Sequence, residues 1–197
     1  AASMGLLSMG TDTGGSVRHP AGMCNLVGMK ATFGRISRFG VLAPSWRADQ
    51  AGPLTKTVTD CALAMNVLAG YDPQDLISIN EPTPDYTSFL GGDLKGVRIG
   101  VPTDAWLWER EIEDIEVLVR EAVKVLAGLG AEIVEVSLAK AANCRPTSFA
   151  INRPEAAVYW TEKFGEEVLQ GWHEIYPGVL QGRQATFTDF LHAQYTA

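Results

Sequence analysis

The stretch Gly10-Thr11-Asp12-Thr13-Gly14-Gly15-Ser16-Val17-Arg18 decides the reading of this chain. It puts a serine at the end of a glycine-rich turn. Glycines let the backbone curl through positive φ and approach a ligand closely. Amides in such a curl point at an anion, and a hydroxyl beside them is the minimum constellation for acyl transfer. Asp12 and Arg18 flank the turn with opposite charge, so the pattern predicts that they pair across it and hold the loop. A serine hydroxyl is a weak nucleophile without a base. No histidine stands where a Ser-His-Asp arrangement can be read, so the base must be another group. An exposed Gly-Gly-Ser surface turn has the same local pattern, and on these residues alone both readings stand. A phosphate cradle fits less well. The Walker pattern ends Gly-Lys-Ser/Thr, whereas this run ends Gly-Gly-Ser-Val-Arg.

The rest of the chain narrows the class. Its 197 residues suit one domain or part of a larger one, and 46% hydrophobic with 20% charged residues is ordinary globular composition. A net charge of −7 weighs against a nucleic-acid-binding face. No apolar stretch has the length of a membrane span. Cys24, Cys61 and Cys144 are odd in number and widely spaced, which fits free thiols in a reducing cytoplasm rather than a disulfide or zinc framework. The first residue is not methionine, and a helical stretch, Thr188 to Tyr195, runs almost to Ala197 without a cap. Both features point to an internal piece of a longer protein.

Met4 to Met9 reads as a buried strand or helix end leading into the turn. Residues 19–56 read as loops and short strands around a site. A helix is expected from Val58 to Leu68, capped by Thr57 or Thr59 and stopped by Gly70. Residues 71–93 are polar and Pro-rich and read as a surface connection. Val97 to Val101, Glu113 to Ala127 and Ile133 to Leu138 form a strand–helix–strand unit whose strands should be parallel. A further helix is expected from Pro154 to Leu169. The fold class is α/β, with a mixed β-sheet core flanked by helices.

Agreement across many separate blocks then adds a resemblance. Thr11-Asp12-Thr13-Gly14-Gly15-Ser16, Pro20-Ala21, Gly28-Met29-Lys30, Gly34-Arg35-Ile36-Ser37-Arg38, Asp49 to Pro53 and Ala69-Gly70-Tyr71-Asp72-Pro73 closely resemble the amidase signature family. Asn152-Arg153-Pro154-Glu155-Ala156-Ala157 is similar to a downstream helix of that family. The resemblance implies a Ser–cis-Ser–Lys triad with Ser16 as nucleophile. It also implies an oxyanion hole made by the amides of Thr13, Gly14, Gly15 and Ser16, with Asp12 and Arg18 supporting the loop. The family's cis-serine and lysine belong upstream of residue 1, and its small-residue helix is represented here by Ala1 to Gly5. Residues 1–197 would therefore be a partial amidase domain, incomplete at both ends.

The implied activity is hydrolysis of a carboxamide C–N bond through a serine acyl-enzyme. The implied substrate is a small-molecule amide, with no metal or organic cofactor, no membrane and no direct nucleic-acid contact. One alternative is the glutamine-hydrolysing A-subunit of an aspartyl/glutamyl-tRNA amidotransferase, which would work with partner subunits. Another is a catalytically incomplete scaffold fragment. Lys30, Lys56, Ser3 and Ser8 receive no catalytic role, and His19, His173 and His192 are assigned away from the chemistry. Asp49 reads as a loop-fixing carboxylate. Phe39 and Trp46 are expected in the core, although either could face an acyl pocket. Two positions depart from the family pattern: Asn25 replaces a usual glycine and Ala31 a usual proline. The spacing Ser45-Trp46-Arg47-Ala48-Asp49 is also unusual and should alter the pocket entrance.

Overall fold

The computed structural model describes residues 2–108 and 113–196. They form two compact units, one of residues 1–90 with 150–192 and one of residues 91–149 with 193–197. The architecture is α/β. Antiparallel and parallel strand pairing both occur, in separate sheets.

The first unit is built on a three-stranded antiparallel sheet. Strand β1 (Leu7–Asp12) leads into the glycine turn, helix α1 (Arg18–Met23) follows it, and strands β2 (Val27–Gly28) and β3 (Gln50–Thr55) complete the sheet in the order β1-β3-β2. The middle strand β3 is buried at every position except the half-buried Leu54. The opening segment differs from expectation. Residues 2–5 are not helical, Ala1 lies outside the described residues, and Met4 and Leu6 are almost fully exposed. The apolar run from Met4 to Met9 is therefore exposed ahead of and along the start of β1 instead of lying in the core.

Helix α2 (Val58–Leu68) has the expected bounds. The Thr57 side chain accepts from the Asp60 N–H at 3.0 Å and donates to the Asp60 carboxylate at 2.8 Å, a reciprocal cap for the first helical turn. Its Met65 packs with Ala31, Ile36 and Ala51, so the alanine at the unusual position 31 fills the core beneath the sheet. Asn25 adopts φ +53, a left-handed conformation in which glycine and asparagine are the residues strained least. The departure from glycine at this position is thus one that the backbone accommodates.

The second unit contains the strand–helix–strand arrangement. Strand β4 (Arg98–Pro102) is followed by a short helix α3 (Ala105–Trp108), helix α4 (Glu113–Gly128) and strand β5 (Glu132–Val136). β4 and β5 pair in parallel, with Ile99 opposite Ile133.

Helix α5 (Cys144–Phe164) begins ten residues before the expected start and carries Pro154 in its interior. Proline suits a first helical turn, which is why the pattern suggests a start there; here the helix runs through it. The helix ends at Gly165, and α6 (Glu166–Gln170), α7 (Tyr176–Gln184) and α8 (Phe187–Thr196) follow. Ala157, Leu169 and Val179 are the buried centre of this part of the first unit. Trp160, Phe164 and Trp172 pack on it, with ring centroids 4.8–5.9 Å apart. These tryptophans pack against the core. Helices α5 and α7 touch closely: a Cβ on Gly182 would strike the Arg153 carbonyl oxygen.

Candidate active site

Strand register builds the site. Asp12, the last residue of β1, is opposite Gln50, the first of β3. The residues just beyond the paired ends, Thr13 and Asp49, therefore meet, and the Thr13 hydroxyl donates to Asp49 Oδ1. Further back, Gly10 is opposite Gly52, and the side chain of Val17 packs against both. Val17 is fully buried. Two bare strand positions thus receive the residue that follows Ser16 and pin it to the sheet.

The Asp12 carboxylate gathers the turn. Fully buried, it accepts from Gly15 N–H at 2.7 Å and from Val17 and Arg18 N–H at 3.3 Å each. Arg18 closes the cluster with two side-chain bonds, Nε to Oδ2 at 2.9 Å and Nη2 to Oδ1 at 3.0 Å. Burial by itself would raise the pKa of Asp12. The Arg18 guanidinium and the three amides outweigh burial and hold the carboxyl well below the ordinary carboxylate range. The pairing expected across the turn is present.

Gly15 has φ +129, and its Cα faces the His19 ring so closely that a Cβ would come within 2.5 Å of it. His19 N–H donates to the Gly15 carbonyl at 2.7 Å. Ser16 is exposed at the end of the turn. Among the described residues, no histidine, lysine or carboxylate is hydrogen-bonded to its hydroxyl. One of the four expected oxyanion donors differs from expectation. The Gly15 N–H is already committed to Asp12, so it is not a free donor in the turn. The amides of Thr13, Gly14 and Ser16 have no acceptor among the described residues, and a Cβ on Gly14 would meet open space.

Asp49 is buried and fixes more than its own loop. Its Oδ2 accepts from Ser45 N–H at 2.8 Å, and its carbonyl accepts from Arg38 Nη1 at 2.9 Å. The Ser45 hydroxyl lies 2.8 Å from Glu155 Oε2, to which it donates, and 3.0 Å from Asn152 Oδ1. The chain of contacts therefore runs from the turn to α5. Gln50, fully buried opposite Asp12, has a side-chain amide without a partner among the described residues.

Lys30 Nζ donates to the Ala48 carbonyl at 3.2 Å, and burial lowers its pKa against the opposing pull of Asp12 and Asp49. Lys56 Nζ is bonded to Ser3 Oγ at 2.8 Å on the surface. Beyond Ser45, a cavity of about 540 Å³ is lined by Pro44, Trp46, Pro154, Val158, Phe187 and Phe190 among others, with Glu155 and Glu162 on its wall. Phe39 and Trp46 are exposed rather than packed in the core, and Trp46 lines this cavity. Nothing in the sequence pattern signals Ser45 as a structural hydroxyl. Glu155 could have been found from its place in the Asn-Arg-Pro-Glu block.

A family model described as Amidase matches residues 1–195. The chain belongs to the amidase signature family. Curated members similar to it include a glutamyl-tRNA(Gln) amidotransferase A-subunit from Desulfotalea psychrophila, 45% identical over 174 residues, covering 88% of this chain and 35% of the relative. An amidase from Pseudomonas putida is 43% identical over 194 residues, covering 95% of this chain and 40% of that protein. Among solved members, the glutamyl-tRNA(Gln) amidotransferase A-subunit of Thermotoga maritima superposes with a TM-score of 0.77 at 32% identity. That match covers 97% of this chain and 42% of the other. The chain thus spans well under half the length of these amidase signature proteins. Among the described residues, no helix is long and apolar enough to cross a membrane.

Proposed function

We propose that a full-length protein carrying this chain hydrolyses a carboxamide C–N bond through an acyl-enzyme on Ser16. The observation that carries this reading is the turn itself. Asp12 holds a rigid loop in which an exposed serine hydroxyl stands beside the free amides of Thr13, Gly14 and Ser16.

Ser16 Oγ attacks the amide carbonyl and gives up its proton to the lysine and cis-serine pair that the family resemblance puts before residue 1. The carbonyl oxygen becomes an oxyanion held by the amides of Thr13, Gly14 and Ser16. Each such donor contributes about 2.7–4 kcal/mol of transition-state stabilisation. The C–N bond breaks, the relayed proton goes to the leaving nitrogen, and ammonia or an amine departs. Water then adds to the acyl-enzyme, and the acid leaves with Ser16 reprotonated. The apolar lining of the cavity beyond Ser45 supports a substrate with a hydrophobic portion, a small neutral amide with an aryl or alkyl group. The free thiols Cys24, Cys61 and Cys144 support a cytoplasmic place of action.

The test is ammonia release from a panel of primary amides by the full-length protein and its Ser16→Ala variant. The variant should fall to background. Normal turnover by the variant would sink the proposal. Residues 1–197 by themselves, without the lysine and cis-serine, should show negligible turnover.

A second reading is supported by the 45% identity to a glutamyl-tRNA(Gln) amidotransferase A-subunit. The same chemistry would then act on glutamine and deliver ammonia within an assembly of partner proteins. Glutaminase activity that appears only when those partners are added would favour this reading over the free-standing amidase.

A further inference from the structure

We infer that Asp49 is a positioning residue that couples occupancy of the apolar cavity to the geometry of the Ser16 turn, an inference that rests on the amidase reading above and deepens it. Four contacts make the connection. Thr13 Oγ1 bonds Asp49 Oδ1, and Ser45 N–H bonds Asp49 Oδ2 at 2.8 Å. Ser45 Oγ bonds Glu155 Oε2 at 2.8 Å, and Arg47 Nε stands 3.4 Å from Glu155 Oε1. Pro44 and Trp46, on either side of Ser45, line the cavity together with Glu155.

The connection is stiff because its middle is dry. Asp49 and Ser45 are each 1% exposed. Both Asp49 oxygens are used, and its carbonyl is held by Arg38. A buried network of this kind cannot trade a partner for water, so a displacement at one end is passed on or the bond is lost at full cost. Trp46 is 69% exposed, so a hydrophobic group entering the cavity gains contact with it and seats both neighbours of Ser45. That seating restrains the Ser45 amide in its bond to Asp49, and Asp49 in turn restrains the Thr13 side chain. The Thr13 backbone amide is one of the free donors of the turn. A filled cavity therefore narrows the motion of an oxyanion donor that is already in place, and the effect is on kcat rather than on binding alone.

The experiment compares acetamide, too small to fill the cavity, with 4-phenylbutanamide, whose aryl group is of a size the cavity can hold, using the full-length protein. The native protein should turn over phenylbutanamide with a kcat about tenfold above that for acetamide, the size of one well-made hydrogen bond to a charged group. Ser45→Ala and Glu155→Ala should bring that ratio close to one, with KM for phenylbutanamide within about twofold. Glu155→Gln keeps an accepting oxygen and should retain the ratio. Thr13→Val should lower kcat for both amides, and Thr13→Ser should restore it.

Equal kcat for the two amides in the native protein overturns the coupling. So does an unchanged ratio in Ser45→Ala and Glu155→Ala, or a rise in KM with kcat fixed. If Ser45→Ala does not fold, Glu155→Ala, at the cavity wall, decides. Retained turnover in Ser16→Ala would instead remove the amidase reading itself, so the two failures are told apart.

Discussion

Arg18 grips Asp12 through two parallel bonds, 2.9 Å and 3.0 Å long, across the turn that carries Ser16. Only one partner is exposed: the Arg18 side chain is half open to solvent while Asp12 is fully buried. The asymmetry decides what each substitution costs. Asp12→Ala removes the acceptor of three amides and a guanidinium and should destabilise the protein by about 3–5 kcal/mol, mainly because the amides of Gly15, Val17 and Arg18 lose their acceptor. Arg18→Lys cannot reproduce the parallel bonds but leaves the amides in place, and should cost about 1–2 kcal/mol. Thermal or urea melts check both. An Asp12→Ala protein that melts with the native one would show that the carboxylate does not organise the turn.

Gly15 carries two separate demands, and they can be measured apart. Its φ of +129 disfavours any side chain, and a Cβ would also strike the His19 ring. Gly15→Ala should therefore cost at least the roughly 1–2 kcal/mol of left-handed strain and misplace Ser16, lowering kcat more than it raises KM. Adding His19→Ala removes the collision but not the strain, so the double variant should recover part of the loss. Full recovery would mean that backbone conformation is irrelevant there. No recovery would mean that the ring is not in contact.

Glu166 supplies a pH signature away from the site. Arg183 and then the Tyr176 hydroxyl, each at 2.5 Å, lower its pKa from an ordinary 4.5 to about 2. The folded value lies below the unfolded one, so the stabilising contribution is present above about pH 4.5 and is lost as pH falls toward 2. Melting temperatures of the native protein and Glu166→Gln should differ at pH 6 and converge between pH 4.5 and 2. A gap that stays constant over this window would contradict the assignment.

Local signals carried far in the sequence, and their limits are physical. Thr57 and Asp60 define the start of α2 by side chains adjacent in the chain, so its bounds were readable. The Asp12–Arg18 pair was readable for the same reason. The start of α5 was not, because Pro154 imitates a first helical turn while the rest of the helix carries it as an interior residue. The loss of Gly15 as a free donor depends on where one carboxylate oxygen points, which no pattern encodes. Asp49 was legible as a loop-fixing residue. Its reach to Thr13 and through Ser45 to Glu155 spans 36 and 110 residues of sequence and exists only through the strand register and the docking of α5. Met4 and Leu6 show the converse: apolar character suggested burial, and they are exposed.

Covalent capture reports directly on whether Ser16 is the nucleophile. The full-length protein is treated with a fluorophosphonate, which reacts with an activated serine, and the modified peptide is identified by mass spectrometry. A single phosphonylated residue, Ser16, is expected, with amide hydrolysis lost in proportion to labelling. Modification of a different residue accompanied by loss of turnover, or full turnover after Ser16 has been labelled, would contradict it.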